Sequence, residues 1–173
     1  MNIRFTFAGI GFSLLLLAPA AAQQFPRLQE ENLAGQQVVL PDAAAGKVAV
    51  LVLGFSHASS TPTGLWAKRA TEDFGKNPGF VLYQLAVIEG APRLVRGMIT
   101  SGMKKGVPDS QRATFIPVVH DEAALKALVG YKAEDDAYIV VLDRGGKVVH
   151  QTHGATVDPT YADLRTKLAG LLK

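Results

Sequence analysis

The chain has 173 residues, of which 48% are apolar and 19% charged, with a formal net charge of +3 and no cysteine. That length suits one globular domain able to bury a sizeable core without disulfides. The composition excludes disulfide bonds, thiolate chemistry and an N-terminal lipid-modified cysteine, and the slight excess of base is too small to imply nucleic acid by itself.

Residues 1–22 come first and stand apart. "MNIRF" supplies a positive charge, "AGIGFSLLLLAPA" an apolar stretch, and "AAA" a small-residue ending before Gln23. This is the layout of a secretory signal peptide, so cleavage is expected after Ala22 and the product is expected to be exported, periplasmic or extracellular. Residues 5–22 could just span a bilayer as a retained anchor, but Pro19 and the alanine run argue against that. The mature domain is then 23–173, with no internal repeat and no linker.

Along that domain, "GQQVVLP" (35–41) predicts a short strand closed by Pro41. "VAVLVLGF" (48–55) predicts a strand buried on both faces, because an unbroken apolar run leaves no polar side for water. "TGLWAKRATEDFG" (63–75) places Leu65, Trp66, Ala70 and Phe74 near helical spacing, with Gly75 at its end. "FVLYQLAVI" (80–88) predicts a second buried strand.

The helix expected over 92–105 carries Leu94, Val95, Met98, Ile99 and Met103 on one side and Arg93, Arg96 and Lys104 mostly elsewhere, with Gly97 and Gly102 weakening it. "TFIPVVHD" (114–121) predicts a strand. Asp121 is expected to cap the helix that ends at Gly130. "AYIVVLD" and "KVVHQTHG" flank the turn "RGG" as a hairpin. Asp158 as N-cap with Pro159 in the first turn opens the last helix, through Leu172. Strands alternating with helices and ending in a hairpin predict an α/β domain, a mixed sheet with helices on both faces.

Three stretches carry a resemblance. They are the lead-in "FPRLQEENLAGQQVVLPDAAAGKVAVLVLGF", the strand, turn and helix of 48–74, and "AYIVVLDRGGKVVHQTHG". With the element order they resemble the thioredoxin-like superfamily, in particular its exported redoxin branch. The resemblance implies an opening hairpin, a central strand and a closing hairpin with an Asp-x-x-Gly turn. In redox members two cysteines separated by two residues begin the helix after the central strand. Here those positions fall on Ser60 and Thr63, with Thr61 and Pro62 between them, and the family's cis-proline position falls on Ala137. A serine hydroxyl stays protonated without a dedicated base and forms no disulfide, so thiol redox activity is not carried over. A weaker similarity joins "RGMITSGMKKGVPDSQR" and "ALVGYKAEDDAYIVVLDRGGKVV" to the thioredoxin-like assembly factors of mitochondrial ATP synthase. It implies a chaperone-like role near a membrane complex.

Four groups of residues could carry function. Ser60 and Thr61 precede Pro62 and are ordinary N-cap candidates, while the same helix start could offer free N–H groups to an anion or a peptide backbone. A nucleophile reading pairs His57 with Ser60, but the local sequence supplies neither an orienting acid nor an oxyanion hole. His150 and His153, three apart in a strand, are expected on opposite faces, which counts against a shared metal. His57 could meet His120, Met98 or Met103 only through the fold. The redoxin resemblance includes copper proteins whose ligands include the missing cysteine pair, and Met and His replace thiolates poorly for Cu(I).

The basic stretch holds Arg93, Arg96, Lys104, Lys105 and Arg112, with no acid until Asp109. It is either a solvated helix face or a dock for an acidic partner or anionic lipid headgroups. "AEDDAY" (133–138) reads as a solvated turn, since it lacks the spaced ligands of a calcium loop. The resemblance brings it near Ser60.

The sequence therefore points to an exported cysteine-free thioredoxin-like protein with no cofactor, acting by non-covalent protein binding, with an assembly or chaperone role for a membrane complex. The expected surfaces are His57, Ser60, Thr61 and Thr63 facing Asp136 and Ala137, together with Arg93, Arg96, Lys104 and Lys105. The alternative is a copper-type metal carrier or a hydrolase using His57 and Ser60. A third reading is a remnant whose old site is simply covered.

Overall fold

A computed structural model describes residues 23–173; the leader expected at 1–22 lies outside the described residues. The opening hairpin pairs β1 (Leu28–Glu31) with β2 (Gln37–Leu40) as a two-stranded antiparallel sheet. The remaining elements follow as β3 (Val48–Gly54), α1 (Ser60–Phe74), β4 (Phe80–Val87), α2 (Arg93–Gly106), β5 (Phe115–Val118), α3 (Glu122–Val129), β6 (Ala137–Leu142), β7 (Val148–His153) and α4 (Asp158–Leu171). The five-stranded sheet has the order β5-β4-β3-β6-β7. β4 runs parallel to both β3 and β5, while β6 is antiparallel to β3 and β7.

β3 and β6 sit at the centre, and every residue of both is buried. Their side chains alternate between two cores. Ala49, Leu51 and Leu53 join Tyr138, Val140 and Leu142 against the hairpin and α3. Val48, Val50 and Val52 join Ile139 and Val141 against α1 and α4, where Trp66, Tyr161, Leu164 and Leu168 complete the packing. The unbroken apolar runs are the sequence signature of this two-sided burial.

β1 escapes residue-level reading because its inward positions are Leu28 and Glu30, so an acid sits where the apolar pattern needs a hydrophobe. The Glu30 carboxylate is satisfied: Oε1 accepts from the main chain of Val119 (2.8 Å) and His120 (2.9 Å). Asn32, also buried, closes the hairpin by accepting from Ala34 and Gln36 and donates to Ala113 O (2.9 Å). In the closing hairpin Asp143 Oδ1 accepts from Gly145 and Lys147, and Gly146 takes φ 79° at the turn that the sequence predicts.

The helix starts differ from expectation. α1 begins at Ser60, three residues early, with Ser59 as its N-cap. α4 begins at Asp158 itself with Val157 as N-cap, and Asp158 pairs with Arg69 instead (3.3 Å). Asp121 is the N-cap of α3 but adopts φ 65° and gives no side-chain cap. Glu89 Oε2 reaches across to accept from Glu122 N in its place (2.6 Å).

α2 departs most. No residue of α2 is buried and none belongs to either core. Leu94 is 98% exposed and Met98 72%. The apolar side expected of this helix is thus divided: Val95, Ile99 and Met103 are half-buried, while Leu94 and Met98 point into solvent.

Candidate functional site

The edge of interest lies beyond the C-terminal ends of β3 and β4 and the start of β6. β3 ends at Gly54, and the side chain of Ser59 lies directly over it; a Cβ at position 54 would collide with Ser59 Oγ. The β3–α1 turn is closed by its own hydroxyls. Ser59 Oγ donates to Ser56 O (2.8 Å), and Ser59 N donates to Ser56 Oγ (3.3 Å). Ser56 Oγ in turn donates to Glu134 O (2.7 Å), tying this turn to the loop before β6. Ser56 and Ser59 went unread in the sequence because serines between a strand and a helix look like any polar turn.

Ser60 and Thr61 are exposed at the first turn of α1, and His57 is exposed just before it. The contact joining His57 to Ser60 is main chain, Ser60 N to His57 O (3.1 Å). It is not the ring-to-hydroxyl bond that a nucleophile would need. Neither Ser60 nor Thr61 is the N-cap, contrary to expectation, and α1 has no side-chain cap. Thr63 turns its hydroxyl back onto the helix, within reach of Ser59 O (2.8 Å) and Ser60 O (3.0 Å), so it does not face the opening.

The helix start is also poorer in free donors than the sequence implies. Ser60 N and Thr63 N are engaged with His57 O and Ser59 O, and Pro62 has no N–H. Thr61 N–H is left as the open donor of this turn, too little for an anion cradle of several amides.

The facing wall is the loop before β6. Gly54 is in register with Ala137, so the turn and this loop meet at the same end of the sheet. Ala137 itself is fully buried and its side chain belongs to the α1/α4 core. That removes the side chain of Ala137 from the expected binding surface. Asp136 remains at the rim, 2.9 Å from Nδ1 of His153.

The His153 ring stacks on Tyr138 at 5.6 Å. The Tyr138 hydroxyl accepts from Lys132 N and Ala133 N and donates to Ala133 O. Phe55 meets both Tyr131 and Tyr138 edge-on at 5.1 and 5.4 Å. An aromatic floor therefore holds the 131–136 loop in place beside the turn. Sequence reading passed over His153 and Tyr138 as site-forming residues.

The other histidines are dispersed. His150 lies on the opposite face from His153, as alternation requires, with Nε2 3.8 Å from Asp163 of α4. That nitrogen is buried without a hydrogen bond, and burial pushes the His150 pKa down, with Asp163 opposing and Lys167 reinforcing the shift. His120 pairs with Glu30 (3.3 Å). Among the described residues no three His, Asp or Glu side chains come together in a way that could hold a metal ion.

The basic helix divides as well. Arg96 is structural: Nε donates to Ala91 O (2.9 Å), while its two terminal nitrogens donate to Val119 O (3.4 Å) and Glu89 O. Arg112 pairs with Asp109 (2.5 Å). Arg93, Lys104 and Lys105 are exposed, and none of them enters an ion pair among the described residues.

The fold is shared with known structures. The pneumococcal exposed lipoprotein thioredoxin Etrx1 from Streptococcus pneumoniae superposes with a TM-score of 0.59 at 16% identity, over 84% of this chain and 99% of that one. BsSco, a member of the Sco family of cytochrome c oxidase assembly proteins, gives 0.61 at 12% identity, over 88% and 95%. A thiol:disulfide interchange protein of the thioredoxin family from Chlorobium tepidum gives 0.55 at 13%, over 90% and 100%. No family model matches the chain, and no curated protein matches its sequence. The fold is thioredoxin-like and the chain lacks the cysteines on which thiol redox chemistry depends.

Proposed function

We propose that this is an exported thioredoxin-like protein that works by non-covalent binding of another protein, in the assembly or safekeeping of a membrane complex, and that it is not an enzyme. The observation that carries this reading is the edge between the β3–α1 turn and the 131–136 loop. It lies where the resemblance puts a redoxin site, and the residues that fall on the two thiol positions are Ser60, which is exposed, and Thr63, which is folded back on the helix. Such an edge offers hydroxyls, one free N–H and the Asp136–His153 pair to a partner, and it has no thiol for a covalent step.

The likeness to BsSco supports an assembly role, since that protein's family assembles cytochrome c oxidase. Etrx1 is an exposed lipoprotein, which supports export. No helix among the described residues is long and apolar enough to cross a membrane. The hydrolase and metal-carrier alternatives lose support from the main-chain-only contact of His57 with Ser60 and from the separation of the four histidines.

The test is a pull-down from detergent-solubilised membranes with the tagged chain, against a bait carrying Thr61→Arg with Asp136→Arg. Enrichment of one membrane complex by the first bait and its loss with the second supports the reading. Equal recovery by both removes this edge as the binding surface.

A further inference from the structure

The face of α2 that points outward is not explained by the binding edge. At 3.6 residues per turn, Leu94, Met98, Ser101 and Lys105 form one stripe along the helix, and Arg93, Gly97 and Lys104 form the stripe beside it. Leu94 and Met98 are the most exposed large apolar residues described, at 98% and 72%. Gly97, Gly102 and Gly106 have open space where a side chain would be, so the two apolar tips stand clear of a flat surface. Arg93 and Lys104 border them on one side and Lys105 continues their own stripe, and from Gly90 to Pro108 the sequence has no acid.

We propose that this face of α2 lies on an anionic lipid surface, with Leu94 and Met98 immersed at the headgroup level and Arg93, Lys104 and Lys105 set against lipid phosphates. Charge complementarity selects the occupant. A protein interface of ordinary size buries about 800 Å² on each side and has a polar rim of mixed sign. α2 offers instead two protruding apolar tips on a helix that carries cations and no acid of its own. An in-plane helix with an apolar tip row and a cationic border is what an anionic interface takes up. A second copy of the chain would bring like charges together. The inference rests on α2 alone and is separable from the proposed edge at α1.

The absence of cysteine allows a direct test on the full chain. Ser101→Cys places a single thiol one turn beyond Met98 on the same stripe, where a polarity-sensitive fluorophore reports immersion of this face. Thr166→Cys, exposed on α4, is the control site. With vesicles of phosphatidylglycerol and phosphatidylcholine, the dye at 101 is expected to shift to the blue at low salt and to lose the shift at about 0.5 M salt, where screening is short-ranged. Vesicles of phosphatidylcholine alone should leave it unchanged. Adding Arg93→Glu, Lys104→Glu and Lys105→Glu should weaken partitioning at least about a hundredfold, and Leu94→Ser with Met98→Ser about tenfold. Circular dichroism checks that each variant is folded. The proposal is overturned if the dye at 101 does not shift with anionic vesicles, shifts equally with neutral ones, or shifts equally at 166.

Discussion

α1 and α2 both follow a strand of the parallel half of the sheet, yet the protein treats them in opposite ways. α1 buries Trp66, Ala67 and Ala70, and Trp66 Nε1 donates to Gly154 O across the core (2.8 Å). α2 has apolar residues at helical spacing too, but it buries nothing and is held at its first turns by Arg96. Periodicity tells which residues share a helix face. It does not tell what covers that face.

The largest effect should separate the two helices. Trp66→Ala is expected to cost about 3–5 kcal/mol, because a large buried ring is lost along with its hydrogen bond. Leu94→Ala should fall within about 0.5 kcal/mol. Urea denaturation measures both, and comparable losses would mean that the outer face of α2 is covered in the protein as it folds. A smaller effect tests the anchor. Arg96→Met leaves the carbonyls of Glu89, Ala91 and Val119 without their shared donor, and a loss of about 1–2 kcal/mol is expected. Amide exchange should speed up in α2 while α1 stays protected; uniform exchange in both would show that Arg96 is not the tether.

The smallest effect concerns the face shared by α1 and α4. The folded-state pKa of His150 is lowered by burial. Between that value and the ordinary one near 6.5, the unfolded chain binds the extra proton, so stability falls as pH drops below about 6.5 and levels off once both states are protonated. His150→Phe should flatten this part of the pH–stability curve. An unchanged slope would assign it to another group.

The central sheet was legible because β3 and β6 are apolar throughout, a pattern few other structures require. The closing hairpin was legible from Asp143 and its glycines. β1 was not, since Glu30 fills an inward position and is satisfied by amides that only the folded chain brings to it. At the candidate edge, the sequence pointed to Ser60, Thr63 and Asp136 through the resemblance alone. It could not show that Thr63 would turn inward or that Ala137 would be core, because both depend on where α1 begins and on strand register. Arg96 looked like Lys104 in a list of cations. A guanidinium has several fixed donors, and those here join the neighbouring carbonyls of Glu89 and Ala91 to that of Val119, 23 positions beyond Arg96.

The Glu30 contact has a kinetic consequence. The opening hairpin is fastened by partners 81 to 90 positions further on, at Ala113, Val119 and His120. Closing a loop of that length comes before the contacts reward it, so the first strands made are among the last to settle. Weakening this clasp with Glu30→Ala should then leave the folding rate nearly unchanged and speed unfolding.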